Sequence, residues 1–171
     1  APRALAEIES KMGAEISSVW LTDEILRTRP TPVEEANGGL LVFEATLWDA
    51  VPSRMRALDQ ALRASGVEGL PLTAAPLVFG SWMGGDRDGN PNVTPQVTRR
   101  VCALHRWLAA DLYWRDLDRL RASLAAEPCS QALRDRVGAG REPYRMLLKE
   151  VRARMGRTRE WAEALVHAEQ V

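Results

Sequence analysis

Apolar residues return every three or four positions along most of this chain, which is the spacing of an α-helix with one buried face. In the first such stretch, Leu5, Ile8 and Met12 share one face. Four stretches show the pattern, namely residues 3–12, 31–66, 95–125 and 143–155. Pro52 predicts a break or kink in the second of them, and the polar residues 22–32 predict a loop. The chain is therefore predicted to be mainly α-helical.

Two of the predicted helices have strong start signals. Thr31 precedes Pro32, and Glu34 occupies the position at which a capping box places its carboxylate. Thr94 and Pro95 repeat the combination of cap and proline. Proline suits the first helical position because the N–H that it lacks would have no helical partner there. We therefore expect helices to begin directly after Thr31 and Thr94.

Two short apolar stretches predict β-strands instead. Residues Ile16–Leu21 combine β-branched and aromatic side chains, and residues Leu77–Trp82 lie between Pro76 and the glycine pair Gly84-Gly85. Two strands alone do not form a stable sheet. We therefore expect both strands to belong to a larger sheet or barrel.

Composition and charge narrow the classes of protein. The chain has 171 residues, of which 46% are hydrophobic and 27% charged, so it can form a core and is not intrinsically disordered. It carries 23 basic and 23 acidic residues. A neutral chain has no general attraction for nucleic acid or for an anionic membrane, and no stretch has the ~20 apolar residues of a membrane helix. These features predict a cytoplasmic protein with neither nucleic acid nor membrane as a partner.

The two cysteines are too few for a disulfide framework in a chain of this length. Cys102 falls on an apolar helical face, which predicts a small core residue, although one bridge to Cys129 stays open. Two histidines without a Cys-x-x-Cys pair do not make a zinc site. No metal site is predicted from these residues.

The segment FGSWMGGDRDGNPNVT, residues 79–94, carries the clearest chemistry. Its glycines allow backbone N–H groups to approach an anion, and the helix N-terminus after Thr94 favours negative charge. Arg87 offers a planar fork that matches phosphate or carboxylate, and Asp86 and Asp88 could orient it. The order of residues in this segment does not match the motif of a Walker A loop, a calcium loop or a dinucleotide fingerprint. A plain turn with solvated charges fits these residues equally well.

The run GGDRDGNP within this segment resembles the signature of phosphoenolpyruvate carboxylases. The resemblance extends to WLTDEILRTRPTPVEEA (residues 20–36) and to residues 47–62, 97–124 and 142–155, and so covers nearly the whole chain. It implies a mostly helical enzyme around a (β/α)8-type barrel, with the active site at the C-terminal ends of the strands. On this interpretation, the two predicted strands are part of that barrel.

The resemblance also implies an activity, in which phosphoenolpyruvate and bicarbonate give oxaloacetate and inorganic phosphate with Mg²⁺ as cofactor. Arg87 matches the arginine that binds the substrate phosphate, and Trp20 matches a tryptophan beside the pocket for bicarbonate or carbon dioxide. The other loop residues match the motif without an individual role: Gly84, Gly85, Asp86, Asp88 and Asn90. The catalytic histidine and the metal ligands of the family have no counterpart in this sequence.

These implications define the hypothesis for residues 1–171. We expect a fragment of a single larger carboxylase domain, from a cytoplasmic homotetramer, that is inactive when isolated. The chain opens on Ala1-Pro2-Arg3 without an initiator Met, which favours a cut inside a longer protein. The alternative is a non-catalytic helical module that keeps the loop as structure or as an anion sensor.

Overall fold

The computed structural model describes residues 2–22 and 29–168. The chain divides into two compact units, Ala1–Pro30 and Thr31–Val171. Every regular element in the described residues is helical, so the prediction of a mainly α-helical protein is confirmed. Neither of the two predicted strands occurs, and no barrel strand is seen in the described part of the chain.

The first unit contains one helix, α1, which spans Pro2–Leu21. The predicted strand Ile16–Leu21 is therefore wrong. Ile16 and Val19 continue the three-to-four spacing of Leu5, Ile8 and Met12, and this continued period outweighs the β-preference of the individual side chains. All five lie along one stripe and keep more than half of their surface exposed. Most of the predicted loop 22–32 lies outside the described residues, because positions 23–28 are not among them.

The second unit contains the remaining helices. They are α2 (Pro32–Val42), a π-helical turn (Phe43–Leu47), α3 (Trp48–Ala64), α4 (Pro95–Ser123), α5 (Gln131–Val137) and α6 (Pro143–Ala168). Helix α4 packs along α6 and also contacts α2. The buried hydrophobic residues are small or medium-sized: Ala36, Val93, Val101, Ala103, Leu108, Ala110, Leu112 and Ala162. Helix α4 supplies most of this core and is the central element of the unit.

Both predicted helix starts are confirmed. The Thr31 hydroxyl accepts a hydrogen bond from the Glu34 N–H (3.3 Å), and the Glu34 carboxylate accepts one from the Thr31 N–H (2.7 Å). The second of these bonds is the main reason that the pKa of Glu34 is lowered. The Thr94 hydroxyl caps α4 by accepting from the Val97 N–H at 3.2 Å. Pro52 does not break its helix, which continues to Ala64.

Residues Leu77–Trp82 have no regular secondary structure. A strand is stabilised by hydrogen bonds to a neighbouring strand, and the described residues include no such partner. Val78 and Trp82 are accordingly 86% and 73% exposed. Phe79 packs edge to face on Phe43, with 5.0 Å between ring centroids. The segment is apolar, but apolar composition without a neighbouring strand does not make it a β-strand.

Charged and aromatic side chains tie α6 to α4. The Arg159 guanidinium donates to the Asp111 carboxylate at 2.9 Å, and that of Arg152 lies 3.0 Å from the Asp118 carboxylate. Both arginines also cover the Trp114 ring, with guanidinium carbons 3.8 Å (Arg152) and 4.8 Å (Arg159) from its centroid. Cation–π contacts of this kind add to the ion pairs. The long hairpin of α4 and α6 is therefore fixed in register by polar contacts as well as by its small core.

Both cysteines are free thiols. Cys102 is exposed, so its prediction as a core residue is wrong. Its neighbours Val101 and Ala103 are the buried positions on this part of α4. The apolar pattern of α4 is broad, and one residue along a helix turns a side chain by about 100°.

Candidate functional site

The segment between Trp82 and Thr94 folds as three consecutive turns that lead into helix α4. In the first turn, the Trp82 carbonyl accepts hydrogen bonds from the N–H groups of Gly85 (2.9 Å) and Asp86 (2.8 Å). Gly84 has a φ of +71° at the third position of this turn. Only glycine adopts such a conformation without steric cost, so the first glycine of the motif is required by the backbone.

Gly84 is also held against α4. It is buried, and a Cβ on it would lie 2.6 Å from Val101 Cγ2. Its carbonyl accepts a hydrogen bond of 2.7 Å from the Thr98 hydroxyl. Val101 and Thr98 are three residues apart and therefore neighbours on one helix face. Sequence reasoning missed Thr98, although a threonine one turn inside a helix that follows a glycine-rich loop was a usable signal.

The second turn carries Arg87. The Asn90 N–H donates to the Arg87 carbonyl at 2.5 Å, and the two central residues, Asp88 and Gly89, have φ values of +33° and +73°. Asp88 is the one non-glycine residue with positive φ in the described part of the chain. Two central residues with positive φ are typical of a type I′ turn, where Asp-Gly is a favoured pair. The residues Asp88 and Gly89 thus match the turn that the backbone makes.

The third turn connects the loop to the helix. The Asn90 side chain accepts from the Asn92 N–H at 3.0 Å, and the Asn90 carbonyl accepts from the Val93 N–H at 3.2 Å. Val93 is 6% exposed and closes the loop against the core. Asn90 therefore stabilises this turn, because both its amide oxygen and its backbone carbonyl accept hydrogen bonds within it.

Arg87, Asp86 and Asp88 are all exposed. Among the residues that the structure describes, none of the three side chains forms a hydrogen bond or ion pair with the protein. The predicted orientation of Arg87 by the flanking carboxylates is not seen within this part of the chain. The guanidinium is thus open to an anion from solvent, on a backbone that three turns and helix α4 fix in place.

The other predicted site residue, Trp20, lies in the first unit, near the end of α1. Its indole is 86% exposed. A tryptophan that packed within its own unit would normally be largely buried. Among the described residues of the first unit, none buries the Trp20 indole.

A second face of the loop adjoins an open apolar pocket of about 350 Å³. Its lining includes Met83, His105 and four aromatic residues, Phe43, Trp48, Phe79 and Tyr113. Trp48 and Tyr113 pack edge to face at 4.9 Å. Burial lowers the pKa of His105 below its ordinary value of 6.5. His105 lies in helix α4 and is partly exposed. The pocket was not predicted from the sequence, because its lining comes from distant segments.

Neither a metal cluster nor a membrane-spanning helix occurs among the described residues. They contain no group of three or more His, Cys, Asp or Glu side chains that could hold a metal ion. Within the same residues, no helix is long and apolar enough to cross a membrane.

Comparison with known proteins agrees with the loop motif. The family model described as phosphoenolpyruvate carboxylase matches residues 1–171. The chain is 52% identical to the phosphoenolpyruvate carboxylase of Pseudomonas paraeruginosa PA7 over 98% of this chain and 19% of the relative. For those of Pseudomonas fluorescens Pf0-1 and Ectopseudomonas mendocina ymp, the identities are 54% and 50%, over 95% and 98% of this chain and 18% and 19% of each relative. The chain thus spans about a fifth of the length of these curated relatives, and it belongs to the phosphoenolpyruvate carboxylase family.

Proposed function

We propose that this segment supplies the phosphate-binding loop of an enzyme that carboxylates phosphoenolpyruvate with bicarbonate to give oxaloacetate and inorganic phosphate. The observation that supports the proposal is the exposed Arg87 guanidinium, without a protein partner in the described residues, on a glycine-rich loop of hydrogen-bonded turns. An arginine can donate two parallel hydrogen bonds to phosphate oxygens. Gly85 and Gly89 are exposed and leave the backbone of the same loop accessible to the ligand.

In the proposed reaction, a bicarbonate oxygen attacks phosphorus and the bond from phosphorus to the enol oxygen breaks. This gives carboxyphosphate and the enolate of pyruvate. Carboxyphosphate then releases carbon dioxide and inorganic phosphate, and the enolate carbon attacks carbon dioxide to form oxaloacetate. Arg87 binds the phosphoryl oxygens throughout, and electrostatic stabilisation of this kind is strongest where water is excluded. Trp20 shields the pocket where carbon dioxide meets the enolate, so that water does not protonate the enolate before the carbon–carbon bond forms.

The same family relationship supports Mg²⁺ as the cofactor. The described residues show no Mg²⁺ site, since they include no group of three or more His, Cys, Asp or Glu side chains that could hold a metal ion. We propose that the metal ligands belong to other residues of the enzyme, and that the enzyme is a cytoplasmic homotetramer. These last features rest on the family alone.

The test is substitution of Arg87 in the full-length enzyme that contains this segment. Arg87→Lys keeps the charge and loses the fork, so kcat/KM for phosphoenolpyruvate should fall about tenfold to a hundredfold, corresponding to roughly 1.5–3 kcal/mol for a charged hydrogen bond. Arg87→Ala should be worse, and the KM for bicarbonate should change less. If Arg87 binds phosphate equally in the ground and transition states, the loss appears in KM; if it acts only in the transition state, kcat falls.

Arg54→Lys is the matched control, because Arg54 is an exposed arginine on α3. It should leave the kinetic constants unchanged. A folded Arg87→Ala enzyme with wild-type kcat/KM would remove Arg87 from the substrate site. The loop would then be a structural turn or an anion sensor in a non-catalytic module.

A further inference from the structure

Among the described residues, one hydrogen bond attaches the loop of residues 82–93 to the rest of its unit. Within Trp82–Val93, the hydrogen bonds found in the described residues connect loop atoms to one another, with a single side-chain bond from outside. That bond is the one from the Thr98 hydroxyl to the Gly84 carbonyl, at 2.7 Å. Thr98 therefore links the phosphate loop directly to the first turns of helix α4.

The bond gives the buried Gly84 carbonyl a donor, and it gives the Thr98 hydroxyl its closer acceptor. Gly84 is buried, and a buried carbonyl without a partner is costly. The Thr98 hydroxyl has a second acceptor in reach, the Thr94 carbonyl of its own helix at 3.2 Å. That carbonyl already accepts the Thr98 N–H at 3.0 Å. The single hydroxyl proton is therefore best used on Gly84, where the distance is shorter and the carbonyl has no other donor in the described residues.

Gly84 lies three residues before Arg87. Because the Arg87 side chain has no partner in the described part of the chain, its position depends on its own backbone. Val101 fixes how closely Gly84 approaches the helix, since a Cβ at Gly84 would overlap it. Contact with Val101 is apolar and does not resist sliding, whereas the directional Thr98 bond does. Loss of this bond should therefore displace Arg87, because the backbone of the first turn connects Arg87 to Gly84.

We propose that Thr98 is a positioning residue for phosphoenolpyruvate binding, which acts by holding Gly84 and thereby the Arg87 guanidinium in register with the substrate phosphate. The proposal rests on the proposed function of Arg87. Thr98 does not itself touch the substrate in this account. Its hydroxyl is needed, and its methyl group is not.

The experiment uses two pairs of variants in the full-length enzyme, and each pair differs mainly in the hydroxyl: Thr98 against Thr98→Val, and Thr98→Ser against Thr98→Ala. Removal of the hydroxyl should raise the KM for phosphoenolpyruvate about five- to tenfold, with kcat within twofold and the KM for bicarbonate unchanged. Thr98→Ser should retain the wild-type KM. Either pair gives the answer if a variant of the other fails to fold.

Thr158→Val is the matched control. The Thr158 hydroxyl donates at 3.2 Å to the Arg154 carbonyl four residues earlier in α6, so it makes the intrahelical bond without a loop partner. This variant should keep the wild-type KM. An equal rise in KM for Thr158→Val and Thr98→Val would show a general effect on helix stability and overturn the proposal.

A double-mutant cycle separates positioning from general stabilisation. In an Arg87→Ala enzyme, Thr98→Val should have almost no further effect on KM, because the group that it positions is absent. Full additivity of the two effects would overturn the proposal, and so would a wild-type KM for Thr98→Val beside an impaired Arg87→Ala. An unimpaired Arg87→Ala would instead overturn the proposed function, so the two failures are distinguishable.

Discussion

Met83 lies across Gly39 of helix α2: its Cε is 2.5 Å from the position that a Cβ on Gly39 would take. The residue before Gly84 is thus packed on α2, while Gly84 itself is packed on α4. The loop is therefore held between two helices at its first turn. A glycine inside a helix normally lowers stability relative to alanine, and this contact gives a reason for Gly39.

We predict that Gly39→Ala and Gly38→Ala have different effects on stability. A Cβ at Gly38 meets nothing within 4 Å, so Gly38→Ala should raise the free energy of unfolding by about 0.5–1 kcal/mol. Gly39→Ala should lose that gain, because the flexible Met83 side chain has to leave its place and overpacking typically costs ~1–3 kcal/mol. Urea unfolding of the chain, followed by circular dichroism, measures both.

Met83→Ala supplies the internal control for this pair. In that background, the two alanine substitutions should give the same gain in stability, since the side chain that distinguishes them is gone. A persistent difference would place the cause elsewhere in α2.

The next prediction concerns the backbone conformation of Asp88. Asp and Gly tolerate its φ of +33°, whereas a β-branched residue does not. In the full-length enzyme, Asp88→Gly should leave kcat/KM for phosphoenolpyruvate near the wild-type value. Asp88→Val should lower it by up to about thirtyfold if a strain of ~1–2 kcal/mol displaces the turn. Equal losses in both variants would show that the carboxylate matters and the turn does not.

Trp20 should keep water from protonating the enolate if it lines the proposed pocket. In the full-length enzyme, Trp20→Ala should admit water, so that phosphate release exceeds oxaloacetate formation. The two products are measured in the same reaction. Trp161→Ala is a suitable control, since Trp161 is a half-exposed tryptophan on α6. Equal amounts of both products from Trp20→Ala would identify Trp20 as a packing residue.

The stability of the chain should depend on the titration of His105. Burial lowers its pKa in the folded chain below 6.5, so the unfolded chain binds more protons as the pH falls. The contribution of His105 to stability should be fully present above pH 6.5 and decline as the pH falls from 6.5 toward the folded pKa. His105→Gln should flatten this dependence in urea unfolding at a series of pH values.

The 171-residue chain by itself should have no carboxylase activity. The described residues include no group of three or more His, Cys, Asp or Glu side chains that could hold a metal ion, and the family's catalytic histidine segment has no counterpart here. Assay of the purified chain for bicarbonate-dependent oxaloacetate formation, from a host that lacks its own carboxylase, checks this. Turnover that depends on added Mg²⁺ would contradict it.

Local signals in the sequence predicted the helix starts correctly because capping depends on residues only three positions apart, as Thr31 and Glu34 show. The glycine conformations around Arg87 were predictable for the same reason. Strand formation depends on a partner far away in the sequence, and the apolar residues Leu77–Trp82 have none in the described part of the chain. The apolar pocket and the contact of Met83 with Gly39 also join distant segments, so no local sequence pattern predicts them.

The bond between Gly84 and Thr98 spans only 14 residues. Closing so short a segment costs little chain entropy, and loops of about ten residues close in roughly 10–100 ns. Helix α4, which carries Thr98, is itself built from local contacts, and such contacts form early in folding. The loop of residues 82–93 can therefore acquire its shape before distant parts of the protein are in place.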